Sequence, residues 1–450
     1  MENNTNFTIK SKKVAFLTLG CKVNSYETEA MQALLTAAGA VIVDFNEVAE
    51  FYVVNTCSVT NMADRKSRQM LHRAKKKNPD AVVVAAGCYA QTAEEAAMKE
   101  TGIDVIIGNN QKKQIVEILE QYMRGVENKR LEIAKETEYE DLSLDTQVEH
   151  TRAYIKIQDG CNQFCSYCII PYARGRIRSR KPQEVLEEVK RLADNGYQEI
   201  VLTGIHLSSY GRTSYEKLTE ESGRPLLELI RQINEVEGIE RIRLGSLEPR
   251  IITENFVKTL YECKKVCPHF HLSLQSGSDT VLARMNRKYT TEEYAAGVEL
   301  LKKQYDAPAI TTDIIVGFPK ETEEEFLQTM EFAKRIGFSK IHVFKYSRRK
   351  GTVADKMPGQ VDEQVKSERS DRLMALEASM GEEYREQFLG KDTLVLFEES
   401  TSVDGEVCQV GYNERYVRIA VKTTENLSNC IRKVNLVGKA KEQETLIAKL

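Results

Sequence analysis

Between residues 13 and 124, short β-branched or apolar runs alternate with stretches whose apolar positions recur every three or four residues. Runs at 14–19, 41–45, 52–55, 81–86 and 104–107 predict strands. Residues 24–38, 61–77, 93–99 and 111–122 predict helices, the first with Asn24 and Glu27 spaced as a capping box. Strand and helix in alternation place helices over both faces of a parallel sheet, an open, doubly wound α/β arrangement.

Residues 125–150 are polar, acid-rich and aperiodic, as an interdomain linker is. A second alternation follows, with strands at 154–158, 200–203, 241–245, 269–275, 310–317 and 341–346, and helices at 183–195, 226–236, 291–304 and 323–336. Six strand–helix units predict a partial parallel (βα)6 barrel. A long charged helix is expected at about 362–389. Four short strands separated by polar turns, at 392–397, 407–411, 416–421 and 431–437, then read as a small antiparallel β-barrel of the oligonucleotide-binding kind. The expected division is an N-terminal domain at 11–124, a linker at 125–146, a barrel core at 147–377 and a terminal β-domain at 380–447.

Composition narrows the class. With 450 residues, 41% hydrophobic and 29% charged, the chain has material for several cores and is too apolar for wholesale disorder. A net charge of −3 offers no global attraction to nucleic acid, so such binding must come from local patches. No apolar run approaches the ~18–20 residues that cross a bilayer, and no membrane role is expected. The segment 14–21, ending in Cys21, has the outline of a lipidated signal, but its apolar run stops after six residues at Gly20, and a buried first strand accounts for it better. A cytoplasmic location is expected, where ten cysteines point to reduced thiols, metal ligation or redox chemistry before disulfides.

The sharpest motif is Cys161-Asn-Gln-Phe-Cys165-Ser-Tyr-Cys168, directly after a predicted strand. Three thiolates at this spacing can hold three irons of a four-iron cluster and leave the fourth iron open to a ligand. A zinc knuckle short of one ligand and a disulfide-bearing loop are the rival readings. The Cys-x3-Cys-x2-Cys spacing resembles the radical S-adenosylmethionine superfamily. There the open iron chelates S-adenosylmethionine, and one-electron reduction releases methionine and a 5′-deoxyadenosyl radical.

Later segments fit that resemblance in order. Tyr167 resembles the aromatic residue near the cofactor's adenine. Thr203-Gly204-Ile205-His206 stands where the superfamily has a glycine-rich stretch against the methionine moiety, without the usual Gly-Gly-Glu. Gln275 resembles a contact in the ribose region, and Asp313 opens the fifth-strand motif that runs to Pro319, whose Gly317 and Pro319 equally suit a plain turn.

Cys21, Cys57 and Cys88 each end or directly follow a predicted parallel strand, so residues 36 and 31 apart in sequence can converge at one sheet edge. Chance core cysteines would more often fall inside strands. A second three-cysteine cluster with one open iron is the implied occupant. Together these features resemble the methylthiotransferase family over nearly the whole chain. That resemblance implies a radical [4Fe-4S] cluster on Cys161, Cys165 and Cys168, an auxiliary [4Fe-4S] cluster on Cys21, Cys57 and Cys88 that holds the sulfur to be inserted, and a terminal TRAM domain that binds the substrate macromolecule. It further implies conversion of an unactivated C–H into C–S–CH3 with two S-adenosylmethionine molecules, and an electron donor such as a flavodoxin or ferredoxin. A noncatalytic iron-sulfur RNA-binding module is the alternative from another class.

The family divides among tRNA adenosines and a ribosomal-protein aspartate. Arg243-Leu-Gly-Ser246-Leu-Glu248-Pro249 resembles the Ser-Xaa-Glu-Pro variant of enzymes acting on N6-threonylcarbamoyladenosine beside the tRNA anticodon, whereas the isopentenyladenosine branch has a different sequence there. Arg243 or Arg250 is expected to meet the threonyl carboxylate, since arginine suits bidentate carboxylate recognition. Residues 64–77 carry seven Lys/Arg against one Asp, and Arg174, Arg176, Arg178, Arg180 and Lys181 follow the cysteine loop. Both runs begin near a cluster cysteine, where they are expected to hold phosphates of an anticodon loop; a solvated surface is the plain alternative. The segment Cys263-x3-Cys267-Pro-His269-Phe-His271 is a possible zinc site, and Cys408 and Cys430 are expected to be packing residues.

Overall fold

Five parallel strands, β1 (Lys13–Thr18), β2 (Val41–Val43), β3 (Phe51–Thr56), β4 (Val82–Ala86) and β5 (Val105–Ile107), pair in the order β2-β1-β3-β4-β5 in the computed structural model. The structure describes residues 7–94, 98, 102–144, 151–213, 218–441 and 444–450. Every residue of β3 is buried because its alternate side chains feed two cores. Tyr52 and Val54 pack with Leu71 and Ala74 on one face. Phe51 and Val53 pack with Met31, Leu35, Ile115 and Leu119 on the other. The doubly wound expectation is met.

One local expectation is not. The first helix, Lys22–Ala37, has Cys21 as its N-cap residue, without a side-chain capping bond. Asn24 instead donates to the Leu19 and Thr56 carbonyls, and Glu27 is drawn into a buried ion cluster, so there is no capping box. A helix the pattern did not signal, Gly87–Thr92, starts directly after β4 and carries Cys88; of the helix expected at 93–99, Met98 is helical and donates to the Glu94 carbonyl, and 95–97 and 99 lie outside the described residues.

The central unit has two ladders: β7-β6-β8-β9, comprising β6 (Ala153–Asp159), β7 (Arg178–Ser179), β8 (Glu199–Gly204) and β9 (Arg241–Leu244), and β10-β11-β12, comprising β10 (His269–His271), β11 (Ala309–Val316) and β12 (Lys340–Lys345). Bridges Ile242↔Val266 and Leu247↔Leu272 join them, and one apolar core runs from Ala153 to Leu373. The six expected strands thus form an incomplete barrel, with β7 as an unexpected antiparallel edge. Helix Glu363–Glu386 packs along it.

The terminal domain is a closed barrel ordered β13-β14-β15-β17-β16, from β13 (Asp392–Val403), β14 (Glu406–Asn413), β15 (Arg418–Val421), β16 (Ile431–Lys439) and β17 (Thr445–Lys449). It is not purely antiparallel. Closure pairs β15 with β17 in parallel, and β17 is a strand the sequence pattern did not signal.

The expected linker is an ordered strap where it is described. Arg130 donates to the carbonyls of Ala90 and Ala93, both at 2.8 Å, and Leu142 and Leu144 are buried against Tyr26. The boundary expected at 146/147 lies outside the described residues. At the amino-terminal end of the barrel strands, Arg241 and Arg243 donate to backbone carbonyls of Leu394, Tyr412, Asn413 and Glu414, while buried Glu199 accepts from Arg243 at 2.6 Å and forms an ion pair with Arg152, whose Nε is 3.1 Å away. Tyr416 lies under the Arg243 guanidinium, 4.3 Å away. The terminal barrel thereby plugs the bottom of the central one.

Candidate active site

The sheet order makes β1, β3 and β4 immediate neighbours, and each delivers a cysteine at its carboxyl end. Cys21 precedes the first helix, Cys57 directly follows β3, and Cys88 is the second residue of Gly87–Thr92. Two glycines permit the approach. A Cβ at Gly20 (φ +105°) would stand 2.9 Å from Cys57 Sγ, and one at Gly87 (φ +88°) 2.4 Å from Asn55 Oδ1.

The second trio sits on the loop after β6. Gly160, at φ +72°, has no room for a Cβ, which would fall 1.8 Å from the Arg176 carbonyl oxygen. The next residue, Cys161, donates its backbone N–H to the Gly175 carbonyl. The loop is therefore folded back on the turn that follows it, and Phe164 takes a left-handed φ of +47° within it. Cys161, Cys165 and Cys168 open onto a cavity at the mouth of the barrel. Tyr167, His206, Ser246, Glu248, Ser273, Gln275 and Arg287 share its wall.

The two cysteine segments are adjacent. Asn109 donates to Cys88 Sγ at 3.7 Å and to the Ala173 carbonyl at 2.8 Å, so one side chain spans both cysteine segments. Burial pushes the Cys57 thiol up to about 11, and burial with neighbouring Cys165 pushes Cys168 up to about 12; Cys88 lies near enough to add to the latter. Bare thiols there stay protonated, and a cation must displace the protons. Arg287 Nη1 donates to Cys165 Sγ at 3.2 Å.

Neither trio is gathered tightly enough for one ion. A tetrahedral zinc with Zn–S of ~2.3 Å holds its sulfurs ~3.8 Å apart. Among the described residues, three or more His, Cys, Asp or Glu ligand atoms come within 4.8 Å of one another only at His271, Asp313 and His342. Wider-set sulfurs at a cavity suit one thiolate per iron of a multinuclear cluster. The possible zinc site of Cys263, Cys267, His269 and His271 does not assemble. The Cys263 thiol is directed at the Thr259 carbonyl, His269 packs on Tyr416, and His271 turns to Asp313.

Several expected contacts fall elsewhere. Arg174 is fully buried and bonded to Glu27, Asp159 and Asn24, so it reaches no phosphate. Arg178 and Arg180 are buried too, the latter paired with Glu188 and Asp141. Arg243 is spent on Glu199 and the terminal barrel, which removes it as a carboxylate receptor in the cavity. Asp313 lies beneath the cavity on β11 and is not among its lining residues. Gly204 is packed on Gln158, whose Oε1 accepts from His206 N at 2.6 Å, so it shapes the wall rather than lining it.

Tyr167, Gln275, Ser246 and Glu248 are at the cavity as expected, and Arg176 is exposed, stacked 4.5 Å from the Phe164 ring centre. Glu248 is held down to about 2: burial would raise it, but hydrogen bonds from His206 and Arg250 outweigh that. Arg250 also donates to Gln163 of the cysteine loop at 3.2 Å, so it links the Ser-Xaa-Glu-Pro segment to that loop. Sequence reasoning missed Arg287, Asn109 and Arg349. The last extends from the loop after β12 to Ser58, Asn61 and Asp64 at 2.6–2.8 Å, beside Cys57. No local motif marks any of the three.

The chain matches the radical SAM superfamily over residues 155–333 and the uncharacterized protein family UPF0004 over residues 13–108. It is 44% identical to the threonylcarbamoyladenosine tRNA methylthiotransferase MtaB of Bacillus subtilis, over 94% of this chain and 93% of that one. The protein of the same name from Aquifex aeolicus is 39% identical over 91% of this chain and 100% of its own. A tRNA-2-methylthio-N(6)-dimethylallyladenosine synthase from Caldicellulosiruptor saccharolyticus is 36% identical over 86% and 83%. Among solved structures, the radical S-adenosylmethionine methyltransferase TsrM of Kitasatospora setae, with cobalamin and a [4Fe-4S] cluster, covers 77% of each chain at 15% identity and a TM-score of 0.58, a likeness of fold. With both domain matches in place and relatives aligned along nearly its full length, the chain belongs to the radical S-adenosylmethionine tRNA methylthiotransferases.

Proposed function

We propose that this enzyme methylthiolates C2 of N6-threonylcarbamoyladenosine beside the tRNA anticodon, with one [4Fe-4S] cluster on Cys161, Cys165 and Cys168, another on Cys21, Cys57 and Cys88, and two S-adenosylmethionine molecules per turnover. When bound, the clusters and S-adenosylmethionine supply the electron, the radical and the sulfur that acid–base side chains cannot provide. The protein's part is positioning. Asn109 and Arg174 hold the two cysteine segments in fixed relation. Arg287 places a positive charge on Cys165. Tyr167 and Gln275 line the space for S-adenosylmethionine, with Gly204 behind it. The domain division given above is proposed with this reading, as are a cytoplasmic location and a flavodoxin- or ferredoxin-like electron donor.

The observation that carries the substrate assignment is the polar wall opposite the cysteines. Ser246 and Glu248 line the cavity, His206 stands 3.3 Å from Glu248, and Arg250 closes the group from behind. A threonylcarbamoyl substituent brings hydroxyl, N–H and carboxylate groups to match them, with Arg250 available to the carboxylate by exchange from Glu248. An isopentenyl group offers this polar wall no hydrogen-bonding group and no carboxylate for Arg250. The higher identity to the threonylcarbamoyladenosine enzymes agrees with this choice. Exposed Arg65, Lys66, Arg68, Arg73 and Lys76 on helix Asn61–Lys77, together with Arg176, are the basic groups available to tRNA phosphates. Nucleoside mass spectrometry of tRNA from cells with and without the gene tests the reading. Loss of 2-methylthio-N6-threonylcarbamoyladenosine on deletion is expected, and its persistence without a redundant enzyme contradicts it.

A further inference from the structure

Below the cysteine cavity, on the inner face of the barrel, three adjacent strands bring together His271 (β10), Asp313 (β11) and His342 (β12). The register requires it. His271 pairs with Thr311, two residues before Asp313, and Asp313 pairs with His342. Paired residues of parallel strands and alternate residues of one strand share a face, so all four side chains point into the lumen. Their neighbours Phe270, Ile310, Ile314 and Ile341 belong to the apolar core under the helices.

The local geometry is unfinished as a hydrogen-bonded cluster. The His271 Nε2 atom is buried and has no hydrogen-bond partner, although Asp313 Oδ2 is 3.3 Å away. The other ring nitrogen, Nδ1, is 3.0 Å from Thr311 Oγ1. Donation from Nδ1–H to that hydroxyl leaves the lone pair on Nε2, the usual way an outer partner fixes a metal-binding imidazole. Two donors ~2.1 Å from one ion stand ~3.0 Å apart at a right angle and ~3.4 Å at the tetrahedral angle, a range that includes the observed spacing. The ligand atoms of all three residues lie within 4.8 Å of one another, and the exposed His342 side chain is free to close the remainder.

We propose that His271, Asp313 and His342 form a binding site for one divalent transition-metal ion, separate from both cysteine trios. Two imidazoles and a carboxylate are a donor set for Zn2+, Fe2+ or Mn2+ that leaves coordination positions open for water or a carboxylate. Those positions face the lumen. Ser273 and Gln275, two and four residues further along the same face, line the cysteine cavity, so the ion would lie ~7 Å along the strand from its nearest wall residue at ~3.3 Å per residue.

Equilibrium dialysis of the full chain, with its iron-sulfur clusters loaded, against Zn2+ tests the assignment, with zinc and iron counted together. The wild type should bind one zinc more per chain than His342→Gln or Asp313→Asn, at unchanged iron content. His342 is exposed, so its replacement leaves the fold and the clusters in place. Equal zinc stoichiometry in the wild type and both variants would overturn the proposal.

Discussion

Arg174 Nη1 and Nη2 donate to the two carboxylate oxygens of Glu27 at 2.8 and 3.0 Å, joining the turn after Cys168 to the helix after Cys21. Both side chains are fully buried, and Glu27 also receives Lys112 at 2.9 Å and Lys156 at 2.7 Å. Removing Arg174 breaks a fully buried ion pair and strips Glu27, Asp159 and Asn24 of the hydrogen bonds it gives them, at a cost of ~3–5 kcal/mol. Arg174→Ala should therefore lower stability by about that amount in denaturant titration, while a substitution at exposed Lys181 leaves it within ~0.5 kcal/mol.

The same burial sets an acid limit. Burial alone would raise Glu27, but Arg174, Lys112 and Lys156 hold it well below its ordinary 4.5; Glu199 is likewise lowered against its burial, by Arg243 and Arg152. A carboxylate depressed in the folded state contributes fully above its unfolded value and loses that contribution as pH falls toward the folded value. Denaturant midpoints should be level above about pH 5 and fall steadily below about pH 4. Glu27→Gln should be less stable near neutrality and show a shallower acid slope.

Two glycines separate the cysteine sites experimentally. Gly160→Ala drives a methyl into the Arg176 carbonyl and should abolish the Cys161 site, leaving iron at about half of the ~8 atoms per chain expected for two four-iron clusters. Gly87→Ala collides with Asn55 and the Thr56 backbone and should remove the other half by displacing Cys88. Iron assay and electron paramagnetic resonance of the reduced variants distinguish these losses.

Most of the strands, and the placement of six cysteines just after them, were legible because they rest on local signals: period-two and period-3.6 patterns, and cysteines next to apolar runs. The fate of the arginines was not. Arg174, Arg176, Arg178 and Arg180 read as one basic stripe, yet Arg174 is neutralised by Glu27, 147 residues away, and only Arg176 reaches solvent. Glu27 was misassigned for the same reason, since its capping-box spacing is local and its three cations are not. Strand β17 went unseen because five residues beside a charged turn carry little pattern of their own, and its partner β15 is fixed only by barrel closure.

That sorting changes the RNA prediction. Arg176→Ala should weaken tRNA binding and reduce the slope of log affinity against log salt by ~0.7–0.9, the loss of one phosphate contact. An unchanged slope would remove Arg176 from the interface. Arg174 supplies the contrast, because its loss acts on stability and not on the salt slope.

The most direct measurement is a single anaerobic reaction in which the reconstituted enzyme, S-adenosylmethionine and a reductant meet equal amounts of two tRNAs, one bearing N6-threonylcarbamoyladenosine and one bearing isopentenyladenosine. Nucleoside mass spectrometry should find the methylthio group on the threonylcarbamoyl nucleoside alone, and on neither nucleoside with Cys57→Ala or Cys161→Ala. Methylthiolation of the isopentenyl nucleoside in preference, or product formation by either cysteine variant, would contradict the account.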